Sequence, residues 1–496
     1  MSAIIHTEAD GRVVLKCFNP ATHEPLQEIM ALTADGVEAR LDGLREQAAC
    51  YKNEPVKTRV RLIRRFRKAL ARHFDELCDS ICQETGKKPQ EAILEIFGAL
   101  EIIRTAEKLA RTTLKRRYRS SGVLIHKRGY VEYWPYGVAT IISPWNYPLL
   151  LVVAPAVEAL LAGNTVAAKP SEHTTLTALL AKQIFDAATG RPELFAVLPG
   201  TAEIGRQLVA SPKTDVICFV GSTKVGKTIA VQCARLLKPV VLELGGKDAM
   251  IVLEDARLAR AAKSAVWGGF SNAGQTCVSV ERVYVVEPVY DEFVALLRAE
   301  TGKLTAGEEP DNAIGAVTLE AQYDKINAHI DDARSKGAEC EVFGEPDGWH
   351  MPPVLLTGVD HSMMVMTDET FGPELAVMKV ADEEEAIAKA NDSSFGLSTY
   401  LFTGNAARAR RISQRLVSGA VVVNDVIVQY AMASLPIGGI RDSGLGKLHG
   451  PEGLLSFSRQ RSVVEGRIDL PMELWYYDLI RKTFGMTRKF IKMWYG

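Results

Sequence analysis

Two stretches about thirty residues apart hold the side chains best suited to covalent chemistry, Glu243-Leu244-Gly245-Gly246-Lys247 and Asn272-Ala273-Gly274-Gln275-Thr276-Cys277. A thiolate is the strongest nucleophile a protein carries, and a carboxylate near it can take a proton from the thiol or from an attacking water. The expected chemistry has two steps. Cys277, in a polar loop with glycine, attacks a carbonyl carbon, and Glu243 activates the water that later releases the acyl group. The tetrahedral oxygen formed in between needs donors, and Asn146, in Pro144-Trp145-Asn146, supplies a side-chain amide beside the backbone N–H of Cys277. The competing readings are plain. A lone cysteine is more often a small buried residue, Glu243 could pair with a nearby lysine, and Asn146 could start a turn before Pro148.

Other motifs recur in a fixed order: Lys169-Pro170-Ser171-Glu172, Phe219-Val220-Gly221-Ser222-Thr223, Glu369-Thr370-Phe371-Gly372-Pro373 and Pro436-Ile437-Gly438-Gly439. With the first three they make seven blocks over roughly residues 10 to 465, and this set resembles the aldehyde dehydrogenase superfamily. The wording of 270–275 and 450–455 is similar to a bacterial branch often labelled succinate-semialdehyde dehydrogenase. The resemblance implies an α/β fold with a Rossmann-type cofactor domain, an α/β catalytic domain and a β-arm for oligomerisation. It implies that an aldehyde is oxidised to the acid through a Cys277 thiohemiacetal and thioester, with a nicotinamide as hydride acceptor. It also implies cofactor contacts at Trp145, Gly221, Ser222, Gly226 and Leu244, at Lys169 and Glu172 on the adenosine ribose, and at Glu369 and Phe371 around the nicotinamide. A carboxylate at Glu172 repels a 2′-phosphate, which favours NAD over NADP. Glu243 argues against the branches that pass the acyl group to coenzyme A.

Gly221 to Thr228 formally satisfies the phosphate-loop pattern of nucleotide hydrolases, and it follows a strand-like run as such a loop does. The resemblance assigns this turn to the cofactor pyrophosphate instead.

The elements that must hold these residues are legible in outline. At 496 residues the chain exceeds one compact core, so two or three domains are expected. Leu62, Phe66, Leu70, Phe74 and Leu77 have helical spacing within a helical region from Lys57 to Ala110. Short apolar runs at 137–142, 164–168, 194–198, 216–220 and 240–244 alternate with helices and predict a parallel sheet. A second set at 249–253, 282–286, 375–379 and 419–423 predicts another. The expected boundaries are 1–113 with 135–245 for the NAD-binding domain, 246–430 for the catalytic domain, 114–134 with 431–466 for the arm and return segment, and 467–496 for a tail. Within the arm, 123–125 and 131–133 read as strands, and the family's use of such an arm implies a homodimer or homotetramer.

Lys plus Arg at 59 nearly cancel Asp plus Glu at 60, which gives no field for nucleic acid. Eight scattered cysteines with no Cys-x-x-Cys pair predict neither zinc nor a disulfide framework and fit a reducing, cytoplasmic setting. No leader pattern is read at Met1 to His6. The helix after Pro148 carries no cation, since Ala154 stands where another branch places an arginine for a carboxylated substrate. An apolar aldehyde is therefore expected, with succinate semialdehyde as the alternative and Arg411, Arg415 or Arg441 as the cations that could reach in. From Trp475 to Trp494 the apolar and aromatic residues fall on one side of a helical wheel, and Arg481, Lys482, Arg488, Lys489 and Lys492 on the other. That pattern fits a helix packed on protein or one lying in a membrane interface. A non-catalytic scaffold or a membrane-tethered interaction protein are the readings from a different class.

Overall fold

The computed structural model describes residues 5–8, 12–309, 311–468, 470–473 and 475–496. Most of the N-terminal stretch read for a leader, 1–4, lies outside them. The chain divides into a large unit, Met1–Leu114 with Trp134–Arg459, and a small one, Lys115–Tyr133 with Gln460–Gly496.

The large unit opens with an antiparallel sheet of β1 (Ile5–Thr7), β2 (Val13–Phe18) and β3 (Pro25–Met30). Four helices follow: α1 (Ala34–Tyr51), α2 (Val56–Arg72), α3 (Phe74–Thr85) and α4 (Pro89–Thr113). Their apolar spacing buries Val60, Ile63, Phe66 and Leu70 of α2 and Ile96, Ala99 and Ile103 of α4 in one core. Gly86 ends α3 at φ 75°, a conformation that favours glycine, and Pro89 starts α4, where its missing N–H costs nothing. The chain then contributes β4 (Arg117–Arg119) and β5 (Lys127–Pro135), which belong largely to the small unit.

The first predicted parallel sheet is present: β6 (Val138–Ile142), α5 (Leu150–Ala162), β7 (Thr165–Lys169), α6 (Thr175–Thr189), β8 (Phe195–Val197), α7 (Ala202–Ala210), β9 (Val216–Val220), α8 (Thr223–Arg235) and β10 (Val240–Glu243). The second is built from β11 (Asp248–Val252), α9 (Leu258–Phe270), β12 (Val280–Val286), α10 (Tyr290–Thr301), α11 (Glu320–Ser335), β13 (Glu339–Val342), β14 (Val354–Thr357), α12 (Met364–Thr367), β15 (Glu374–Val380), α13 (Glu383–Asn391), β16 (Ser398–Phe402), α14 (Ala406–Ser413) and β17 (Ala420–Val423). The chain closes with β18 (Gly444–Leu445), α15 (Gly450–Ser456), β19 (Ser458–Gly466) and α16 (Tyr477–Tyr495).

Strand order is β18-β10-β9-β6-β7-β8 in the first sheet and β13-β14-β15-β12-β11-β16-β17 in the second. In the first sheet the chain runs outward from β6 through β7 to β8, then returns to β9 on the other side of β6. Connections therefore diverge between β6 and β9, and a crevice opens at the carboxyl ends of those strands. β16 was not foreseen from the sequence, although it is fully buried between β11 and β17. Its Ser398-Thr399-Tyr400 start blurs the apolar run that marked its neighbours.

In the small unit the strands run in the order β19-β5-β4, with Tyr118 edge-on to Tyr130 and the Tyr130 hydroxyl donating to Glu465 at 2.7 Å. Val123 to Ile125, expected as a strand, instead lie in the turns between β4 and β5, and the strand is Arg117–Arg119. Three apolar residues outscored a basic run whose pairing to 129–131 is carried by backbone bonds. The segment 431–459, grouped with the arm on sequence, lies in the large unit, where α15 packs on α4 and α5.

Candidate active site

Cys277 stands at the end of a strained loop. Asn272, Ala273 and Gly274 all have positive φ, at 54°, 53° and 72°. Two non-glycine residues held there cost energy that the surroundings must supply. The loop is gripped from several sides. The Asn272 amide donates to Asn146 O at 3.2 Å and to Gln275 O at 3.1 Å, and its N–H is held by the Glu91 carboxylate. A side chain on Gly274 would collide with the backbone of Gly372, so glycine is required where the cysteine loop meets the Glu369–Phe371 segment.

Asn146 is buried, and its amide donates to Gln275 O at 3.0 Å, two residues before the thiol. Its Oδ1 has no partner. Its position is fixed by residues the sequence did not single out. Lys87, fully enclosed, donates to Asn146 O at 2.8 Å and to Glu95 at 2.7 Å, and stands over the Tyr147 ring. Glu95 in turn accepts the N–H groups of Leu149 and Leu150 at 2.9 and 3.1 Å, which caps the start of α5. Lys87, just before α4, and Glu95, within it, belong to no recognised motif, so only the fold brings them to Asn146. The Tyr147 hydroxyl meets Thr276 at 2.8 Å, a third tie between this segment and the cysteine loop.

The thiol of Cys277 is partly accessible and lies 3.7 Å from the Tyr430 hydroxyl. Burial pushes it up to about 12; the Tyr430 contact offsets part of this, and Asp248, Glu243 and Glu369 add to it. The resting group is therefore a thiol. No acceptor among the described residues takes its backbone N–H. Glu243, at the end of β10, is buried with neither oxygen partnered. Burial raises it to about 8, against the pull of Lys447, so the lysine pairing weighed on sequence is an influence and not a contact. A carboxyl of this kind exchanges protons near neutrality, which suits a general base. Tyr430 and Lys447 were not singled out on sequence either, since no motif surrounds them.

The residues expected around a dinucleotide border the crevice. Lys169 ends β7 and donates to Glu172 at 3.0 Å and to Pro170 O at 2.9 Å, which holds the Glu172 carboxylate below its usual range against its burial. Ser222 is the N-cap of α8 and its side chain makes no capping bond, so the first-turn N–H groups face outward beside Gly221. Gly226 lies within α8 against Leu244, where a side chain would collide; its role is close packing of helix on strand. Lys227 and Thr223 are tied to Asp442, at 2.8 and 3.0 Å, so this segment is not wrapped as a hydrolase phosphate loop. Trp145 and Phe371 meet edge to face at 5.6 Å, and Glu369 accepts the Gly246 N–H at 3.1 Å, its carboxyl raised to about 7 by burial and by Glu281. A cofactor pyrophosphate fits the open helix start, and a ribose fits Lys169 and Glu172.

Among the described residues, none of the cations considered for a carboxylated substrate stands beside Ala154. Ala154 is enclosed by Ile102, Leu150 and Ala433. Arg411 and Arg415 are paired with Glu383 and Glu384, and Arg441 donates to the carbonyls of Asn391 and Ser393.

The model of the aldehyde dehydrogenase family matches residues 6–463, and the chain belongs to that family. It is 38% identical to a 4,4'-diapolycopene aldehyde oxidase of a Methylomonas species, over 93% of this chain and 87% of that one. It is 35% identical, over 95% and 94%, to a Mycobacterium ulcerans protein whose name gives succinate-semialdehyde dehydrogenase and NADP(+). The crystal structure of a Mycobacterium tuberculosis aldehyde dehydrogenase complexed with NAD+ superposes with a TM-score of 0.87 at 31% identity, over 93% of this chain and 95% of that one.

Proposed function

We propose that this enzyme oxidises an apolar aldehyde, aliphatic or aromatic, to its carboxylic acid with NAD, through a thioester on Cys277. The observation that carries this reading is the grouping of a partly accessible thiol, an unpartnered buried carboxyl and a buried amide at Cys277, Glu243 and Asn146. The thiol gives up its proton to solvent water and its sulfur adds to the aldehyde carbon. Asn146 and the Cys277 N–H hold the oxyanion. NAD, when bound between Trp145, Phe371, Glu369 and the start of α8, supplies the hydride acceptor. Glu243 then takes a proton from water as its oxygen attacks the thioester carbon, and the sulfur leaves.

NAD is preferred because Glu172 would repel a 2′-phosphate, and Lys169 is committed to Glu172 and Pro170. The NADP(+) in a relative's name makes the opposite outcome a fair test: kcat/KM for NADP above that for NAD would overturn the preference. Apolar substrates are supported by Ala154 and its neighbours, by Leu94, Phe97 and Met432, which are exposed and apolar on α4 and on the segment after β17, and by the relative named for a polyene aldehyde. Succinate semialdehyde is the second reading, favoured by the other relative's name. Initial rates of NAD reduction across aldehydes of rising apolar length, benzaldehyde and succinate semialdehyde decide between them; a strong preference for succinate semialdehyde would overturn the apolar reading.

The enzyme works as a homodimer or homotetramer through the edge strand β4, where Tyr118 is exposed, and the turns after it, where Val123 and Ile125 are exposed. It is cytoplasmic, and α16 rests on a membrane surface. In support, none of the 19 residues of α16 is buried, Phe484, Met486, Met493 and Trp494 are each about two-thirds exposed or more, and five cations face one acid, Asp478. No helix among the described residues is long and apolar enough to cross a membrane.

A further inference from the structure

Glu158 is the single polar residue of α5, a helix otherwise apolar from Leu150 to Ala162. It is 1% exposed. An apolar side chain would fill the place without the cost of burying a carboxyl, so packing gives no reason for it. Its Oε1 accepts the His449 N–H at 2.9 Å, and its Oε2 has no partner. Gly453 of α15 makes the room, since a Cβ there would stand 2.6 Å from both carboxylate oxygens.

The link to Glu243 runs through one short bridge. Ile437 and Leu448 exchange both backbone hydrogen bonds at 2.8 Å. Gly438, next to Ile437, lies against Glu243, where a Cβ would be 2.7 Å from Oε1. His449, next to Leu448, holds Glu158. The two carboxyls thus flank the ends of a single antiparallel bridge, each with an unpartnered oxygen.

The other ionisable groups around them are occupied or neutral. On α4, Glu95 is paired with Lys87, and Glu107 with Arg64 and Arg67. On α2, Arg59 donates to the carbonyls of Glu54 and Leu161. Lys169 of β7 holds Glu172, and Glu452 of α15 reaches back toward Gly450. Cys218 of β9 is buried and kept protonated, and His449 is held neutral by burial, its ring edge-on to Tyr430. Lys447 lies at the Glu243 end and donates to Gly438 O. Burial, and then the neighbouring Glu243 charge, raise Glu158 to about 8.

We propose that Glu158 is a positioning residue for hydrolysis: at the other end of the bridge from Glu243, it forms with it a coupled carboxyl pair that carries one proton in all and leaves one proton vacancy ready when water attacks the Cys277 thioester. The inference rests on Glu243 as the base. The step balances within the site. The water oxygen bonds to the acyl carbon and its proton goes to the pair. The carbon–sulfur bond breaks with its electrons on sulfur, and the thiolate recovers the proton from the pair as the acid leaves. Two buried carboxyls at the ends of one backbone bridge disfavour each other's ionisation, so the pair titrates in two separated steps that belong to neither residue alone.

Single-turnover hydrolysis of the acyl-enzyme across pH tests this. In wild type the basic limb should show two steps. In Glu158→Gln, which keeps an oxygen for the His449 N–H, it should collapse to one step displaced toward acid by about one pH unit. Glu158→Asp should restore the two-step limb. A Glu158→Gln limb that overlies wild type, or a rate lowered equally at every pH, would overturn the proposal. Infrared difference titration of the protonated-carboxyl band needs no turnover: loss in two steps in wild type and one in Glu158→Gln supports the pair, and identical titrations overturn it. Full hydrolysis by Glu243→Gln would instead sink the assignment of the base itself.

Discussion

At the scale of single residues, Cys277, Glu243 and Asn146 were legible because each stands in a motif, whereas the groups that tune them were not. Tyr430, the Lys87–Glu95 pair and Glu158 reach the site from three segments with no shared motif. Replacing Asn146 with Ala removes one oxyanion donor and should lower kcat about 10²–10³-fold in steady-state assays, with the thiol still titratable by an alkylating reagent. Because burial raises Glu243 and Glu158 alike to about 8, hydrolysis should speed up in two steps as pH rises through that region, and the rate should level off above it. The sign for stability is opposite. Glu243 and Glu158 hold protons in the folded state that the unfolded chain, at 4.5, has already released. Their contribution is complete below about 4.5 and lost as pH rises through about 8, so Glu243→Gln should flatten the decline of Tm over that window in calorimetry.

At the scale of elements, both parallel sheets could be read from alternating apolar runs, since strands buried on both faces are continuously hydrophobic. β16 escaped because Ser398 and Thr399 are buried through hydrogen bonds, to Gln429 and Ser418, and not through apolar character. The β-arm was found and its first strand misplaced, because backbone pairing leaves no mark on side-chain type. The helix α5 carries the substrate prediction. Ala154→Arg places a cation where Ile102, Leu150 and Ala433 now meet, and should raise kcat/KM for succinate semialdehyde relative to an alkyl aldehyde about tenfold; an unchanged ratio would show that α5 does not set specificity. Lys87→Met leaves Glu95 buried without its cation and should cost about 3–5 kcal/mol in denaturant unfolding.

At the scale of the whole molecule, near-balanced charge left local features to decide partners, and the tail supplied one. Removing residues 470–496 should abolish sedimentation with anionic vesicles while leaving kcat for a soluble aldehyde unchanged; equal sedimentation of the full and shortened chains would remove the membrane role. Segregation of basic from apolar residues made that helix visible in sequence, and the exposure of Phe484, Met486, Met493 and Trp494 leaves much of its apolar side available.

The central claim is the acyl-enzyme on Cys277, and mass spectrometry of Glu243→Gln after addition of aldehyde and NAD tests it most directly. The account predicts a stable adduct equal to the aldehyde less two hydrogens, located on the Cys277 peptide, with one equivalent of NADH per site. Turnover at the wild-type rate with no adduct on Cys277 would contradict it.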